Sequence, residues 1–317
     1  MDLKQLKTFI LVAETGSLSK ASDRLRLAQP SLSRHIRMLE ATVGVPLFAR
    51  TGRGMQLTEG GQLLLRRVTG IVHQLESSLD EVRSAVSAPR GAVAFGMMPT
   101  VSYFLAARAI ERAARELPGV SLRIVEGYAG HLIDWLHRGE IDATLLYGPA
   151  TDSHARTETL AYEELVLVEP GSSPPAAGEF VPFKELGRVD LILPSRVHGL
   201  RAVVEQAARK TGTTLTIAFE ADSFHVLKEL VETGLGATIL PLSAIAREVA
   251  AGRLRGTPIR KPKVMREIVL ALPPGRTDTR ATQAVVALLR RELETMVDIG
   301  EWSAVLTGRK ATARAPR

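Results

Sequence analysis

The sequence predicts three consecutive units: a small helical N-terminal domain with a β-hairpin, one long helix, and a two-lobed α/β domain. Three observations predict this order. Apolar residues recur at helical spacing in short blocks over residues 3–44, and an apolar stripe steps by three or four residues from Leu64 to Val86. From Gly91 onward, β-branched runs alternate with helical segments. The 317 residues, of which 45% are hydrophobic, are enough for several packed domains.

The first three helices are predicted from apolar spacing and capping residues. Residues 3–14 form one amphipathic face that ends at Gly16, and Ser17 is suited to cap a second helix. Pro30, which is compatible with the first turn of a helix, opens a third helix that Gly44 ends. Two short, closely joined helices, the second presenting its N-terminus, are typical of a helix-turn-helix.

The start of the third helix carries amide, hydroxyl and basic side chains. In a helix-turn-helix this end enters the major groove of DNA, where an arginine can form two parallel hydrogen bonds with guanine. A lone surface arginine is more often simply solvated, but the combination of side chains indicates DNA binding. The residues predicted to contact DNA here are Gln29, Pro30, Ser31, Ser33, Arg34 and, one turn further and more suited to the phosphate backbone, Arg37.

The segment VPLFARTGRGMQLTEGG, residues 45–61, predicts a short hairpin with Gly52 and Gly54 at its tip. A hairpin that follows a helix-turn-helix resembles the wing of a winged helix. Arg50 and Arg53 flank the turn, where they are predicted to contact phosphates or the minor groove.

Thr58 is expected to cap a long helix over about residues 59–87. A narrow apolar stripe of this length is typical of a seam for a partner helix, so a second copy of the chain is the expected partner. The alternative is a helix that lies against its own C-terminal domain. The stripe consists of Leu64, Val68, Ile71, Leu75, Leu79, Val82 and Val86.

Positive charge is concentrated at the N-terminus. Residues 1–90 hold 13 Lys and Arg against 8 Asp and Glu, whereas residues 91–301 hold 24 against 26. A basic first quarter on a near-neutral body indicates that one part binds a polyanion, although a solvated basic surface would give the same count. The chain has no cysteine, no signal peptide and no apolar run of about 20 residues, so we expect a cytoplasmic protein without a membrane segment.

The segments ASDRLRLAQPSLSRHIRMLE and LFARTGRGMQLTEGG closely resemble the hallmark of the LysR-type transcriptional regulators. The resemblance extends over residues 1–295, and the GRG, FGMMP and LILPS segments resemble the nitrogen-assimilation-control branch. It implies a sequence-specific regulator of promoter DNA, a homotetramer built from linker-helix dimers, a small-molecule co-inducer and contact with RNA polymerase. It also assigns DNA reading to Gln29, Ser31, Ser33, Arg34, Arg50 and Arg53. His35 stands where the family often has Gln, so we expect an altered contact with the DNA backbone.

The C-terminal strands read as parallel α/β structure in two lobes, similar to periplasmic solute-binding proteins and to the LysR effector domain. We expect crossings near residues 161–165 and 265–269, with a ligand cleft between the lobes. The expected boundaries are 1–58 for the DNA-binding domain, 59–88 for the linker helix, 91–301 for the effector domain (lobe I about 91–161 and 267–301, lobe II about 162–266) and 302–317 for a basic, disordered tail.

Candidate effector residues lie at strand ends and helix starts, where free backbone N–H groups favour an anion. Thr100 is the leading candidate, since the family commonly places Ser or Thr there. Ser and Thr at such places are also frequent helix N-caps, so helix capping is the alternative to effector contact for these residues. The predicted set is Thr100, Val101, Ser102, Tyr128, Ser195, His198 and Ser223.

The sequence does not predict an enzyme. It contains no GxSxG, P-loop or HExxH motif, and its seven histidines show no metal-ligand spacing, so we expect neither a metal nor a cofactor besides the co-inducer. A solute-binding protein would not need the basic N-terminal module. An architectural DNA-binding regulator that responds to no ligand stays open: a pocket filled with apolar side chains would favour it, and an open polar cleft would not.

Overall fold

The protein folds into a helical N-terminal domain, a long helix and two α/β lobes. The computed structural model describes residues 1–51, 54–84, 88–148, 155–174, 178–196, 198–274 and 278–307. No helix in these ranges is both long enough and apolar enough to cross a membrane.

The N-terminal domain packs three helices and a hairpin around one core. Its helices are α1 (Leu3–Thr15), α2 (Leu18–Leu25) and α3 (Gln29–Val43), and its antiparallel hairpin is β1 (Phe48–Thr51) with β2 (Gly54–Leu57). Phe9 of α1 and Phe48 of β1 meet with ring centroids 5.4 Å apart. Leu32, Ile36 and Leu39 bury one face of α3 against them.

Local capping explains where these helices begin and end. Asp2 and Gln5 form a capping box at the start of α1, and the Ser17 side chain accepts from the Lys20 amide at the start of α2. Gly16 and Gly44 adopt left-handed conformations, with φ of 62° and 81°, where a glycine ends a helix without steric cost. The three predicted helices and the hairpin are confirmed.

Helix α4 (Glu59–Ser84) has two different faces. One face contacts α6 (Ala129–Arg138) of the C-terminal domain, and the His73 Nε2 atom lies 2.8 Å from a carboxylate oxygen of Asp142. The other face leaves part of the predicted stripe exposed, including Ile71 and Leu75, which retain 61% and 46% of their accessible surface. The contact expected with the C-terminal domain is therefore present on one face, and the other face stays available for the predicted partner helix. Val86 lies outside the described residues.

Lobe I is built from two separate parts of the chain. Its sheet has the order β4–β3–β5–β12–β6, with β13 on the other side of β6, and helices α5, α6 and α10 pack against it. The elements are β3 (Gly91–Met97), α5 (Pro99–Glu116), β4 (Val120–Glu126), α6, β5 (Ala143–Tyr147), β12 (Met265–Leu272), α10 (Arg280–Asp298) and β13 (Ala304–Leu306).

Lobe II is formed by the intervening chain. Its elements are β7 (Val181–Pro182), a 3₁₀ turn (Phe183–Arg188), β8 (Asp190–Leu193), α7 (Gly199–Thr211), β9 (Thr216–Glu220), α8 (Phe224–Glu232), β10 (Thr238–Pro241), α9 (Leu242–Ala250) and β11 (Leu254–Arg260). Buried leucine, isoleucine and valine side chains from these elements form a core separate from that of lobe I.

Strand β6 (Arg156–Pro170) connects the lobes. Its residues up to Glu164 pair with β12 and β13, and its residues from Leu165 pair with β10 and β11. The predicted parallel α/β pairing does not extend to the two crossing strands, whose pairs are antiparallel because β6 leaves lobe I while β12 returns to it. The pairs β3–β4 and β3–β5 are parallel.

The prediction of a disordered tail from residue 302 is wrong for residues 302–307. Trp302 is 1% exposed in the core of lobe I, and β13 pairs with Ala161, Tyr162 and Glu163 of β6. A large aromatic side chain gains from burial, and β13 occupies an edge of β6 that would otherwise leave backbone groups unpaired. Residues 308–317, which carry the basic side chains, lie outside the described part of the chain.

Candidate DNA-contact surface and effector cavity

The start of α3 presents the predicted DNA-contacting side chains on the open surface of the N-terminal domain. Gln29, Pro30, Ser31 and Arg34 are exposed, and Ser33 is half-buried. This follows from the helical period, since the apolar positions of α3 face the core and the polar positions between them face outward. The surface formed by residues 29–37 of α3 is called here the recognition face.

Arg37 and His35 behave differently within this helix. Arg37 is exposed, and its Nε donates to the Ser33 carbonyl at 3.4 Å, along the helix. His35 is half-buried, and its Nδ1 lies 2.9 Å from the Thr8 hydroxyl. His35 therefore ties α3 to α1, and the expected role of this residue at the DNA backbone is not supported by this inward contact.

The hairpin lies against the turn between α1 and α2, because the Met55 amide donates to the Gly16 carbonyl at 2.9 Å. Gly54 has a φ of +124°, and a Cβ at this position would meet the same carbonyl, so the tight approach requires glycine. Arg50 belongs to β1 and pairs with Met55 through its backbone. The side chain of Arg50 and the whole of Arg53 lie outside what the structure describes.

A cavity lies between the two lobes, with about 330 Å³ of space free of atoms, part of it continuous with solvent. Proline, leucine and phenylalanine make up half of its lining residues, and six polar or charged side chains converge on it, as is typical of small-molecule sites. The effector cavity, as it is called here, is lined by Pro99, Thr100, Tyr128, Tyr147, Pro194, His198, Leu200, Asp222, Phe224, Leu227, Leu240 and Arg266.

Three of the predicted effector residues lie on this wall: Thr100 at the start of α5, Tyr128 before α6 and His198 before α7. All three stand at a strand-to-helix connection, which is the feature that selected them. The rule therefore selected connections from both lobes that meet at this cavity.

The other four predicted residues do not line the cavity in the described structure. Val101 is fully buried in the core of lobe I, and Ser102 faces away along α5 with its amide bonded to Met98. The Ser195 amide donates to the Asp222 carboxylate at 2.8 Å, which positions a neighbouring loop. Ser223 is exposed where α8 begins.

Arg266 is the main cavity residue that the sequence did not indicate. It is 2% exposed and forms a buried ion pair with Glu163, with Nε and Nη2 at 2.8 and 2.6 Å from the same carboxylate oxygen. Its Nη2 also donates to the Thr100 hydroxyl at 3.0 Å, and its guanidinium lies 4.0 Å from the centroid of the Tyr147 ring. Burial alone would lower the pKa of Arg266, but Glu163 and Tyr147 raise it above the ordinary value, so the guanidinium stays charged.

Arg266 was missed because it stands in MREIVLALPP, which reads as an ordinary buried strand. Its partner Glu163 belongs to β6, a segment 103 residues earlier. The available signal was opposite charge in the two predicted crossing strands, with glutamates in residues 161–165 and an arginine in residues 265–269, since burial of one charge calls for a partner of opposite sign.

Tyr147 and His198 supply neutral polar groups to the cavity. Burial raises the pKa of the Tyr147 phenol, whose hydroxyl hydrogen-bonds to Thr100. Burial lowers the pKa of His198, although Asp222 opposes this effect. The His198 Nδ1 accepts from the Leu200 amide at 3.4 Å, which places the proton of the neutral ring on Nε2 as a donor.

The two lobes touch each other around the cavity. The Tyr128 hydroxyl donates to the Asp222 carbonyl, and the Tyr128 ring lies 4.8 Å from the His198 ring. On another side, the Tyr103 ring of lobe I contacts Phe224 and lies 4.4 Å from the buried Lys228 ammonium of lobe II. The structure therefore has the lobes closed on each other.

A helix-turn-helix domain joined by a long helix to two lobes with a cavity between them defines a ligand-responsive transcriptional regulator. The family described as the LysR substrate binding domain matches residues 87–294, and the bacterial regulatory helix-turn-helix protein, lysR family, matches residues 3–62. The chain belongs to the LysR family of transcriptional regulators. The described residues contain no group of three or more His, Asp or Glu side chains that could hold a metal ion.

Relatives and solved structures agree with this membership. The nitrogen assimilation regulatory protein nac of Klebsiella aerogenes is 31% identical over 245 residues, covering 77% of this chain and 79% of the relative. A hydrogen-peroxide-bound OxyR mutant of Corynebacterium glutamicum is 26% identical, with a TM-score of 0.64 and 94% of each chain covered. CbnR complexed with its target DNA shares the fold, with a TM-score of 0.69 at 22% identity over 92% of this chain and 99% of that one.

Proposed function

We propose that this LysR-type regulator reads a specific promoter sequence with the recognition face of α3 and responds to a small effector in the cavity between its lobes. Within the recognition face, Arg34 is assigned to a guanine, Gln29, Ser31 and Ser33 to base edges or phosphates, and Arg37 to the phosphate backbone. Arg50 and Arg53 of the hairpin are assigned to phosphates or the minor groove. CbnR, of the same fold, has been crystallised with its target DNA.

The DNA-bound form is proposed to be a dimer through the exposed face of α4, with two dimers forming a tetramer. Five apolar side chains of this helix, Leu63, Ile71, Leu75, Leu79 and Val82, each retain between 44% and 75% of their accessible surface, and a second copy of the helix would bury them. The protein would work in the cytoplasm, as a regulator rather than an enzyme, by altering how RNA polymerase meets the promoter.

The proposed effector is a small molecule with an apolar body and one anionic or acceptor group. The observation that carries this proposal is the charged Arg266 guanidinium, held by Glu163 and bonded to Thr100 on the cavity wall. Donors from Thr100, Tyr147 and His198 surround it, while the remaining wall is mostly apolar. Ser195 and the backbone amide of Val101 lie in the same connections and are retained as secondary candidates, as are Ser102 and Ser223.

The ligand-independent architectural regulator is less well supported. Six polar or charged residues converge on the wall between the lobes, which is typical of a ligand site rather than of a purely architectural protein.

The DNA-reading proposal is tested by selecting bound fragments from random and genomic DNA with the full-length protein across a salt series. We expect recovery of a palindrome with matched half-sites and a steep loss of binding with salt. Recovery of only salt-sensitive, sequence-independent binding would contradict it. For the effector, binding of acetate, propionate and butyrate is compared by calorimetry with binding of the corresponding alcohols. Equal or absent binding of acids and alcohols would contradict an anionic effector.

A further inference from the structure

The residues that follow the family match pack against β6, the strand that connects the two lobes. The substrate-domain match ends at residue 294, whereas the chain continues through α10 to Trp302 and β13. β13 pairs with β6 opposite Ala161, Tyr162 and Glu163, and the Thr307 amide donates to the Leu160 carbonyl at 2.9 Å. Residues 302–307, called here the C-terminal strap, therefore cover the connecting strand at the point where the lobes meet.

Trp302 is the anchor of the strap. Its side chain is 1% exposed, and its ring lies 5.5 Å from the ring of Phe104 on α5, the helix that begins beside Thr100. Its indole Nε1 donates to Glu163 at 2.7 Å. The carboxylate that accepts from this donor also holds Arg266, so Trp302 is linked to the cavity wall through two residues, Glu163 and Arg266.

Glu163 is buried, with 1% of its surface exposed, and both of its carboxylate oxygens are occupied. Oε1 accepts from Trp302 and from the Ser243 hydroxyl of lobe II at 2.6 Å, and Oε2 accepts twice from Arg266. A buried carboxylate needs such donors to offset its lost hydration. Loss of a donor to Oε1 would remove one restraint on the orientation of the carboxylate. Rotation of the carboxylate would then move Arg266 away from Thr100.

We propose that Trp302 is a positioning residue for the effector site, which acts through Glu163 to fix the Arg266 guanidinium on the cavity wall. This inference rests on the effector site proposed above. The strap then sets how well the cavity binds an acceptor group, although no residue of the strap lines the cavity in the described structure.

The first test compares crystal structures of the full-length protein and two variants that separate hydrogen bonding from packing. Trp302→Phe keeps a ring against Phe104 but removes the indole donor, whereas Phe104→Leu weakens the ring contact and keeps the donor. We expect the distance from Arg266 Nη2 to the Thr100 hydroxyl to exceed the hydrogen-bond limit of about 3.5 Å in Trp302→Phe only. An unchanged distance in Trp302→Phe, or an equal change in both variants, would overturn the proposal.

The second test measures butyrate binding to the full-length chain by calorimetry. Trp302→Phe and a deletion of residues 302–317 are expected to weaken binding by roughly tenfold or more, since one hydrogen bond to a charged group is loosened. A deletion of residues 308–317 removes the basic tail, keeps the strap and is expected to leave binding unchanged. Equal weakening by both deletions would overturn the role of the strap. Absence of butyrate binding to the unmodified protein would count against the carboxylate effector, whereas the crystal comparison decides the role of Trp302 independently.

Discussion

The Tyr128 hydroxyl of lobe I donates a hydrogen bond of 2.5 Å to the backbone carbonyl of Asp222 in lobe II. This contact spans the mouth of the effector cavity, and both residues line it. It is therefore a bond that exists only while the lobes are closed, and removing it changes the balance between closed and open forms.

Tyr128→Phe should shift this balance toward the open form. One hydrogen bond contributes ~0.5–1.5 kcal/mol, so the open population is expected to rise several-fold. Hydrogen exchange measured by mass spectrometry should speed up at the start of α8, beside Asp222. Tyr162→Phe, at a tyrosine that is 39% exposed on β6, is the control and should leave exchange there unchanged. Unchanged exchange in Tyr128→Phe would mean that the bond does not hold the lobes.

His198 gives the stability of the protein a defined pH dependence. Burial lowers the pKa of the folded-state imidazole below the ordinary 6.5, so the unfolded chain binds a proton at a higher pH than the folded one does. Stability should therefore fall as the pH decreases from about 6.5 toward the lower folded-state pKa.

Thermal unfolding between pH 7 and pH 5 measures this effect. His198→Gln should lose less stability over this range than the unmodified protein, because it has no imidazole to protonate. Asp222 does not confound the range: the Ser195 amide lowers the pKa of its carboxyl below the ordinary 3.8, so its contribution is lost only under more acidic conditions. Parallel curves for His198→Gln and the unmodified protein would contradict a lowered pKa.

Arg34→Ala should lose ~1–3 kcal/mol of binding to the selected DNA site and relax specificity at one base pair. Arg37→Ala, one helical turn further, should weaken binding to all sequences about equally and reduce the salt slope by about one. Fluorescence anisotropy with the selected duplex and with single-base variants separates the two effects. Equal losses of Arg34→Ala on specific and random DNA would exclude base reading by this side chain.

Gly70→Ala should separate α4 from the effector domain. A Cβ at this position would clash with the Arg138 carbonyl oxygen, which is backbone and cannot easily move. We expect a lower unfolding temperature and faster hydrogen exchange in α6. Gly130→Ala is the matched control, because nothing lies within 4 Å of its added Cβ and alanine favours a helix by about 1 kcal/mol. An unchanged unfolding temperature for Gly70→Ala would contradict the close packing of these helices.

Leu75→Glu should convert the proposed dimer to monomer, because it places a charge within the exposed apolar stripe of α4, where Leu75 is 46% exposed. Light scattering after size exclusion measures the mass of the species. Gln62→Glu places the same charge on the same helix away from this stripe and should leave the mass unchanged. A dimer or tetramer that persists in Leu75→Glu would assign self-association to another surface.

Most of the fold could be predicted from patterns among residues that are close in the sequence. The three N-terminal helices follow from apolar period and from Ser17, Pro30 and Gly44, which act within a few residues of their own position. Thr100 and His198 were reached because strand ends place helix starts around a cleft. These features depend on neighbours in the chain, so one sequence suffices to recognise them.

What the sequence did not indicate depends on distant partners. Arg266 meets a carboxylate 103 residues away, and Trp302 meets the same carboxylate 139 residues away. Burial of either side chain is favourable only once the other strands are in place. Neighbouring residues in the sequence do not indicate this long-range pairing. The basic composition after residue 308 also suggested disorder for the whole tail and concealed the apolar strap before it.

The division of lobe I into two parts of the chain has a consequence for how the protein is made. During synthesis the core of the N-terminal domain is complete once Val68 of α4 has left the ribosome, and lobe II can follow when its last strand has emerged. The sheet of lobe I must wait for β12, α10 and β13, because β12 lies between β5 and β6 and joins them into one sheet. Until then the apolar faces of β3, β4 and β5 are exposed, which is the condition under which chaperones are needed. Residues 265–307 therefore complete a domain that begins at residue 91, so a chain terminated before them is expected to be aggregation-prone rather than a shortened regulator.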